Sequence, residues 1–308
     1  MTGMILLALA PIVLLIGLGL WLRRSGFLPG PFWAPAERLS YFVLLPALFT
    51  HGLATADLSG VPVLAMALTL ICATLVAAAI VLCAERFLGL DGPSFTSVFQ
   101  GSVRFNNYVG VTIAAGLFGV PGIAMAAVAN AAIVPTVNIL CAGVFARSGP
   151  VRPGLRGLAR GIMCNPLILG CAAGLGLRLT GLGLPPGIDG ALKALGSAAL
   201  PLGLLCVGAA MDLRVLGGGL RPALLASAAK FALLPLATVV FCRLWGLHGQ
   251  AALVAVMFQA LPTASSSYVM ARQLGGNAPL MAAIISFQTA VALVAVPVAM
   301  LLLGPVAG

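Results

Sequence analysis

The stretch Arg104-Phe-Asn-Asn-Tyr-Val-Gly110 (RFNNYVG, residues 104–110) places a cation and two adjacent carboxamides inside a run that is otherwise apolar. Its setting decides what it means. The 308-residue chain is 61% hydrophobic and only 7% charged, with a mean hydropathy of +1.16. Soluble domains carry roughly a quarter charged residues, so this composition cannot cover a water-facing surface. Dominance of apolar residues also excludes a disordered chain. The remaining class is an all-α polytopic membrane protein. Transmembrane barrels are excluded because runs such as MALTLICATLVAAAIVLC (residues 66–83) are long and do not alternate.

A span needs roughly 20 apolar residues. The pattern predicts ten helices, near 4–22, 36–53, 61–84, 94–118, 121–146, 161–178, 190–211, 222–245, 249–274 and 278–303. The first is read as a retained helix rather than a leader, because its basic residues, Arg23 and Arg24, follow it. Trp21, Trp33 and Trp245 fall at span ends, as aromatic-belt residues do. The net charge of +10 does not indicate nucleic acid. Arg23, Arg24, Arg38, Arg86, Arg147, Arg152, Arg156, Arg160, Arg214, Arg221 and Arg272 all fall on one predicted face. Only Arg178, Lys193 and Arg243 fall on the other. The basic-rich face is expected to be cytoplasmic, with both termini in the periplasm of a bacterial inner membrane. The seven cysteines are scattered and form no CxxC pair, so they predict neither a metal site nor a disulfide framework.

The chain also reads as written twice. Pro11 and Pro166 each precede an apolar run ending GLGL (166 − 11 = 155). Pro46 matches Pro201 (201 − 46 = 155), and Pro62 matches Pro222 (222 − 62 = 160). Phe99-Gln100 matches Phe258-Gln259 (259 − 100 = 159). Pro121 with Asn130 matches Pro279 with Gln288 (288 − 130 = 158). Ordered matches at nearly one offset predict two five-helix repeats, residues 1–146 and 161–308, joined by a basic cytoplasmic linker at 147–160. An odd number of spans per repeat makes them inverted, the pattern of many secondary transporters.

The fourth helix of each repeat carries the polar patch. One reads FQGSVRFNNYVG and the other FQALPTASSSYVM. Pro262 removes a backbone donor and clashes with the preceding turn. Gly101, Gly110 and the Asn pair weaken the first helix. Each predicts a break, at Gly110 and Pro262. Unpaired backbone groups are expensive in hydrocarbon, so broken helices belong in the protein interior, lining a cavity. Arg104 has no acidic residue at matching depth, since all six acids fall at span ends or in loops. A mid-membrane guanidinium then binds an anion, snorkels to the interface, or is neutralised by carbonyls. Lys230, in the eighth predicted helix, is read as a second anion contact, a pairing partner or a snorkelling residue.

Gln100, Arg104, Asn106, Asn107, Tyr108, Asn130, Gln259, Ser265, Ser266, Ser267 and Gln288 are the candidate substrate contacts. Asn138 is expected to make an interhelical hydrogen bond. His51 and His248 are placed in external loops. No nucleophile–base pair, HExxH, GxSxG or phosphate loop suggests an enzyme, and no cofactor or metal is implied.

QGSVRFNNYVGVTIAAGLFG (100–119), NPLILGCAAGLGL (165–177), LGSAALPLGLLCVGAAM (195–211) and ALPTASSSYVMARQLGGN (260–277) together resemble the auxin efflux carrier family, which includes bacterial malonate-type permeases. The resemblance implies a bile-acid-symporter-like fold of ten helices in two inverted repeats. Helices one, two, six and seven would form a scaffold, dimerising through helices two and seven. The others would form a moving transport domain, with helices four and nine crossing at the substrate. It also implies elevator-type transport of an organic anion, with Asn106 or Asn107 and Pro262 at the crossover. The stretch after the Asn pair, YVGVTIA, lacks the proline of the plant carriers, and the chain lacks their long central hydrophilic loop. A small carboxylate is therefore expected rather than auxin. The alternatives are sodium-coupled symport of a larger amphipathic anion, an intramembrane enzyme, and a passive channel; a coupling ion, sodium or proton, is left open.

Overall fold

A computed structural model describes residues 2–55, 60–148, 160, 163–181, 183–212 and 219–307. Most of the linker expected at 147–160, together with Asp57 and Arg214, lies outside the described residues.

The described residues are helical, with no strand. The helices are α1 (Thr2–Arg24), α2 (Trp33–Leu39), α3 (Leu45–Thr55), α4 (Val63–Leu88), α5 (Gly92–Val103), α6 (Asn107–Ser148), α7 (Pro166–Thr180), α8 (Pro186–Ala210), α9 (Leu220–Ala228), α10 (Leu234–Leu244), α11 (Gly249–Gln259), α12 (Ser266–Leu274) and α13 (Ala278–Ala307). Wider π turns, Ser40–Leu44 and Ala229–Leu233, join α2 to α3 and α9 to α10. Five described stretches are long and apolar enough to cross a membrane: Val63–Leu88, Gly92–Ser148, Pro186–Ala210, Leu220–Leu244 and Ala278–Leu303. Large apolar side chains stand exposed along the helices, among them Leu14, Leu64, Ile80, Leu179, Val240, Val294 and Leu302. Lipid satisfies such a surface and water does not. The chain is an α-helical membrane protein.

Two compact units emerge, and each draws on both halves of the sequence. The first comprises residues 1–61, 107–131 and 161–210, and the second residues 62–106, 132–160 and 211–308.

In the first unit, α1 packs on α8, and α3 packs on α7 and α8. Small residues set these distances. A methyl built on Gly208 would overlap the Ile16 carbonyl, and one on Gly19 would overlap that of Leu205. Gly170 and Gly174 give α7 the same closeness to Pro46 and Thr50 on α3, where Thr50 Oγ1 donates to the Gly170 carbonyl at 3.0 Å. Without a hydrophobic driving force between helices in lipid, such contacts rest on dispersion and main-chain approach. α7 starts at a cap in which the Asn165 carboxamide accepts from the Leu167 N–H at 2.9 Å and Pro166 supplies the first helical residue. His51 is not in a loop as expected. α3 runs on to Thr55, and the His51 ring lies 3.0 Å from the Asp189 carboxylate.

In the second unit, α5 is buried from Ser94 to Val103. Val98 packs with Ala223, Ala226, Ala271, Leu280, Met281, Ile284 and Ile285 from α9, α12 and α13. At Gly101 any side chain would run into Ile284 and Ala226, so glycine allows α5 to lie close to α13 and α9. Asn277 fastens the other end of the pair. Its N–H donates to the Pro93 carbonyl at 3.0 Å, its Nδ2 to Ser94 Oγ at 3.0 Å, and its Oδ1 caps α13 through the Leu280 N–H at 3.0 Å. Glu85 pairs with Arg147 and accepts from Ser148 Oγ at 3.2 Å, joining the ends of α4 and α6.

α6 passes from one unit to the other. Its helical path is interrupted at Gly119 (φ 59°, ψ −136°), a conformation that residues with a side chain rarely adopt.

Candidate functional site

α5 stops at Val103 because Arg104 turns extended (φ −74°, ψ 157°), and helix resumes at Asn107. The interruption is thus three residues, Arg104 to Asn106. Gly110 was expected to mark it, but Gly110 lies buried in the helix beyond. Helix resumes as soon as Asn106 has a partner outside its own chain segment: its N–H donates to the carbonyl of Pro262 at 2.8 Å. Pro262 lies inside the second interruption, residues 260–265, between α11 and α12. The two breaks therefore touch, main chain to main chain.

A helix end leaves its last carbonyls without intrahelical donors, and inside a membrane each must be met by protein. At the end of α5 the Gln100 carbonyl takes the Arg104 N–H at 2.9 Å. The Gly101 carbonyl takes Gln288 Nε2 at 2.9 Å, and the Val103 carbonyl takes Lys230 Nζ at 3.5 Å. Gln288, wholly buried on α13, uses its other atom for the second break: Oε1 accepts from the Thr263 N–H at 3.0 Å. One carboxamide thus closes a donor from one interruption and an acceptor from the other. Thr263 Oγ1 and Ser267 Oγ are 3.2 Å apart, and the Ser267 and Tyr268 N–H groups donate to the carbonyls of Ala264 and Ser265. The rings of Phe105 and Phe258 meet edge to face, 5.7 Å between centroids, beside the crossing.

Among the described residues, the Arg104 guanidinium has only neutral partners. Nη1 donates to Asn138 Oδ1 at 3.0 Å and approaches Met270 Sδ at 3.6 Å, while Nη2 donates to Ser266 Oγ at 3.3 Å. Its Nε is buried and makes no hydrogen bond. The hydrogen bond expected of Asn138 is thus made, and its partner is Arg104, which the sequence reading did not name. The available signal was the lack of any acid at the depth of Arg104, which makes a nearby carboxamide the best remaining acceptor.

The second unit brings together Arg104, Asn106, Ser266, Ser267 and Gln288. Gln100, one turn before the break, is wholly buried and neither end of its amide is hydrogen-bonded. Gln259 turns away: its Nε2 donates to the Leu70 carbonyl at 3.1 Å and to Thr74 Oγ1 at 2.9 Å, both on α4. Such a residue holds helices together. Gln259→Leu is expected to cost about 1–2 kcal/mol of stability, seen as a lower melting temperature with unchanged anion affinity in the folded protein. Ser265 lies in the interruption just before α12.

Asn107, Tyr108 and Asn130 belong to the first unit. The Tyr108 ring lies against Gly203, where any side chain would overlap it. Asn130 Nδ2 donates back to the Ala126 carbonyl at 2.8 Å, which leaves its Oδ1, like that of Asn107, buried without a hydrogen bond. Among the described residues, no three His, Cys, Asp or Glu side chains gather as a metal site.

Comparison with known proteins adds two findings. The membrane transport protein family matches residues 152–300. A protein of Methanothermobacter thermautotrophicus described as an uncharacterized transporter is 27% identical over 290 residues, covering 93% of this chain and 94% of its own length. Both point to transport rather than to an enzyme.

Proposed function

We propose, from the premise that this chain is a membrane transporter of the auxin efflux carrier family, that it is a secondary carrier of a small organic anion, a carboxylate such as malonate. One observation carries the reading. Arg104 stands half-buried at the meeting of two interrupted helices with an Asn, a Ser and a Met sulfur around it and no carboxylate. A guanidinium matches a carboxylate in a planar fork, and neutral partners position it without cancelling its charge. Asn106, Ser265, Ser266 and Ser267 would orient the anion, with Gln100 contributing a further hydrogen bond.

The remaining features follow the same reading. The chain would hold ten spans in two inverted five-helix repeats, with both termini periplasmic in a bacterial inner membrane. Support comes from the paired interruptions, each just beyond a Phe-Gln dipeptide. Transport would be of the elevator type, and the division into two units, each with its own packing, supports it. A homodimer through helices two and seven completes the proposal.

The test is a melting-temperature screen of purified protein against mono- and dicarboxylates, followed by counterflow of radiolabelled malonate in liposomes. Saturable counterflow with stabilisation by a carboxylate is expected. A non-saturable leak would make the protein a channel, and dependence on sodium would favour a symporter of larger amphipathic anions. Conversion of the added carboxylate to product would make it an enzyme.

A further inference from the structure

Lys230 lies in the π turn between α9 and α10 and is completely buried. Local π widening recurs at functional positions. The elements packed on this turn are α4, α5, α9, α10 and α13. Their charged residues are Glu85 and Arg86 on α4, Arg221 on α9 and Arg243 on α10, with none on α5 or α13. Glu85 is the single acid among them, and it is taken by Arg147. The ammonium therefore has no counter-ion on these elements. Its partner is a main-chain oxygen, the Val103 carbonyl, 3.5 Å away.

That carbonyl is left over by the helix break and sits at the negative end of the α5 dipole. Carbonyl oxygens of unwound segments and the C-termini of half-helices are the groups that hold a coupling cation in carriers built on broken helices. Here the same groups face a cation that is covalently part of the chain.

The internal repeat sharpens the point. Leu70 and Lys230 correspond at the offset of 160 set by Pro62 and Pro222, as Gln259 and Gln100 correspond at 159. In one of the two corresponding clusters, each built from both repeats, the Gln259 amide, the Leu70 carbonyl and the Thr74 hydroxyl close a neutral set. In the other, Leu234 stands where threonine would, the lysine brings a charge, and the buried Gln100 amide makes no hydrogen bond. A charge has been placed at one break and not at its counterpart.

We propose that Lys230 is a tethered cation: its ammonium does at the end of α5 what a bound alkali ion does in a cation-coupled carrier, so the protein has no free-cation site there. This goes beyond the assignment of an anion substrate, and its test uses no substrate, so the two fail separately.

The full-length protein is purified in detergent, and its melting temperature is measured at equal ionic strength in sodium, potassium, choline and methylammonium chloride. The wild type is expected to melt alike in all four, and Lys230→Arg, which keeps the charge, to share that indifference. Lys230→Ala removes the tether and leaves the carbonyl, so it is expected to melt lower in choline. Methylammonium or sodium should then raise it by about 2–5 °C. Stabilisation of the wild type by sodium over choline would overturn the proposal, as would a Lys230→Ala protein that melts alike in every salt. Should Lys230→Ala not survive purification, the sodium response of the wild type and of Lys230→Arg decides: indifference supports the tethered cation, and stabilisation defeats it.

Discussion

Arg104→Gln is expected to weaken carboxylate binding by about 30-fold or more, because removing one partner of a desolvated charge pair costs about 2–5 kcal/mol. The fold should survive. A glutamine amide can still donate to Asn138 Oδ1, and the loss of a half-buried charge offsets the lost bond to Ser266 and the weaker contacts to the Met270 and Cys141 sulfurs. The melting temperature should therefore move by only a few degrees while the binding isotherm collapses. Arg104→Lys should fall between, since an ammonium keeps the charge and loses the planar fork. Titration of the purified variants with the carboxylate that stabilises the wild type checks this. Wild-type affinity in a folded Arg104→Gln protein would remove Arg104 from the site and with it the main support for an anionic substrate.

Gln288→Met should act in the opposite order. The side chain is similar in size and apolar, so packing is kept. The Thr263 N–H and the Gly101 carbonyl, both buried, lose the side-chain partner that Gln288 gives them. Leaving a buried backbone group unsatisfied costs about 1–3 kcal/mol each, so the variant should lose about 2–6 kcal/mol. That corresponds to a fall in melting temperature of roughly 5–15 °C, and transport should disappear with the crossover geometry. A variant melting within a degree or two of the wild type would show that water or another group can close both breaks.

The contrast between these variants shows what could be read from the residues alone. The class of protein and the existence of two interruptions were legible, since each follows from polar groups or a proline in an apolar run. What each polar group bonds to was not. Gln100, Gln259 and Gln288 look alike in sequence, yet one bonds to α4, one joins the two breaks and one has no hydrogen bond at all. Those outcomes depend on which face of a helix meets which neighbour. The π turn at Ala229–Leu233 shifts that face by part of a turn, which the apolar periodicity does not register. The partner of Asn138 escaped the sequence for the same reason, since Arg104 is 34 residues away. The break was placed at Gly110 on helix propensity, but propensity is a weak prior, and the hydrogen bond from Asn106 to Pro262 decides where helix resumes.

Asn277 and Gln288 grip α5 at its beginning and at its end, and they stand eleven positions apart at the head and middle of one rod (288 − 277 = 11). Three helical turns, about 16 Å, separate the two pegs. A ratchet of one turn between the rods would unseat both pegs at once, so α5 and α13 have no gliding freedom between them. Whatever displacement delivers cargo must take the pair as a single piece, cradle included.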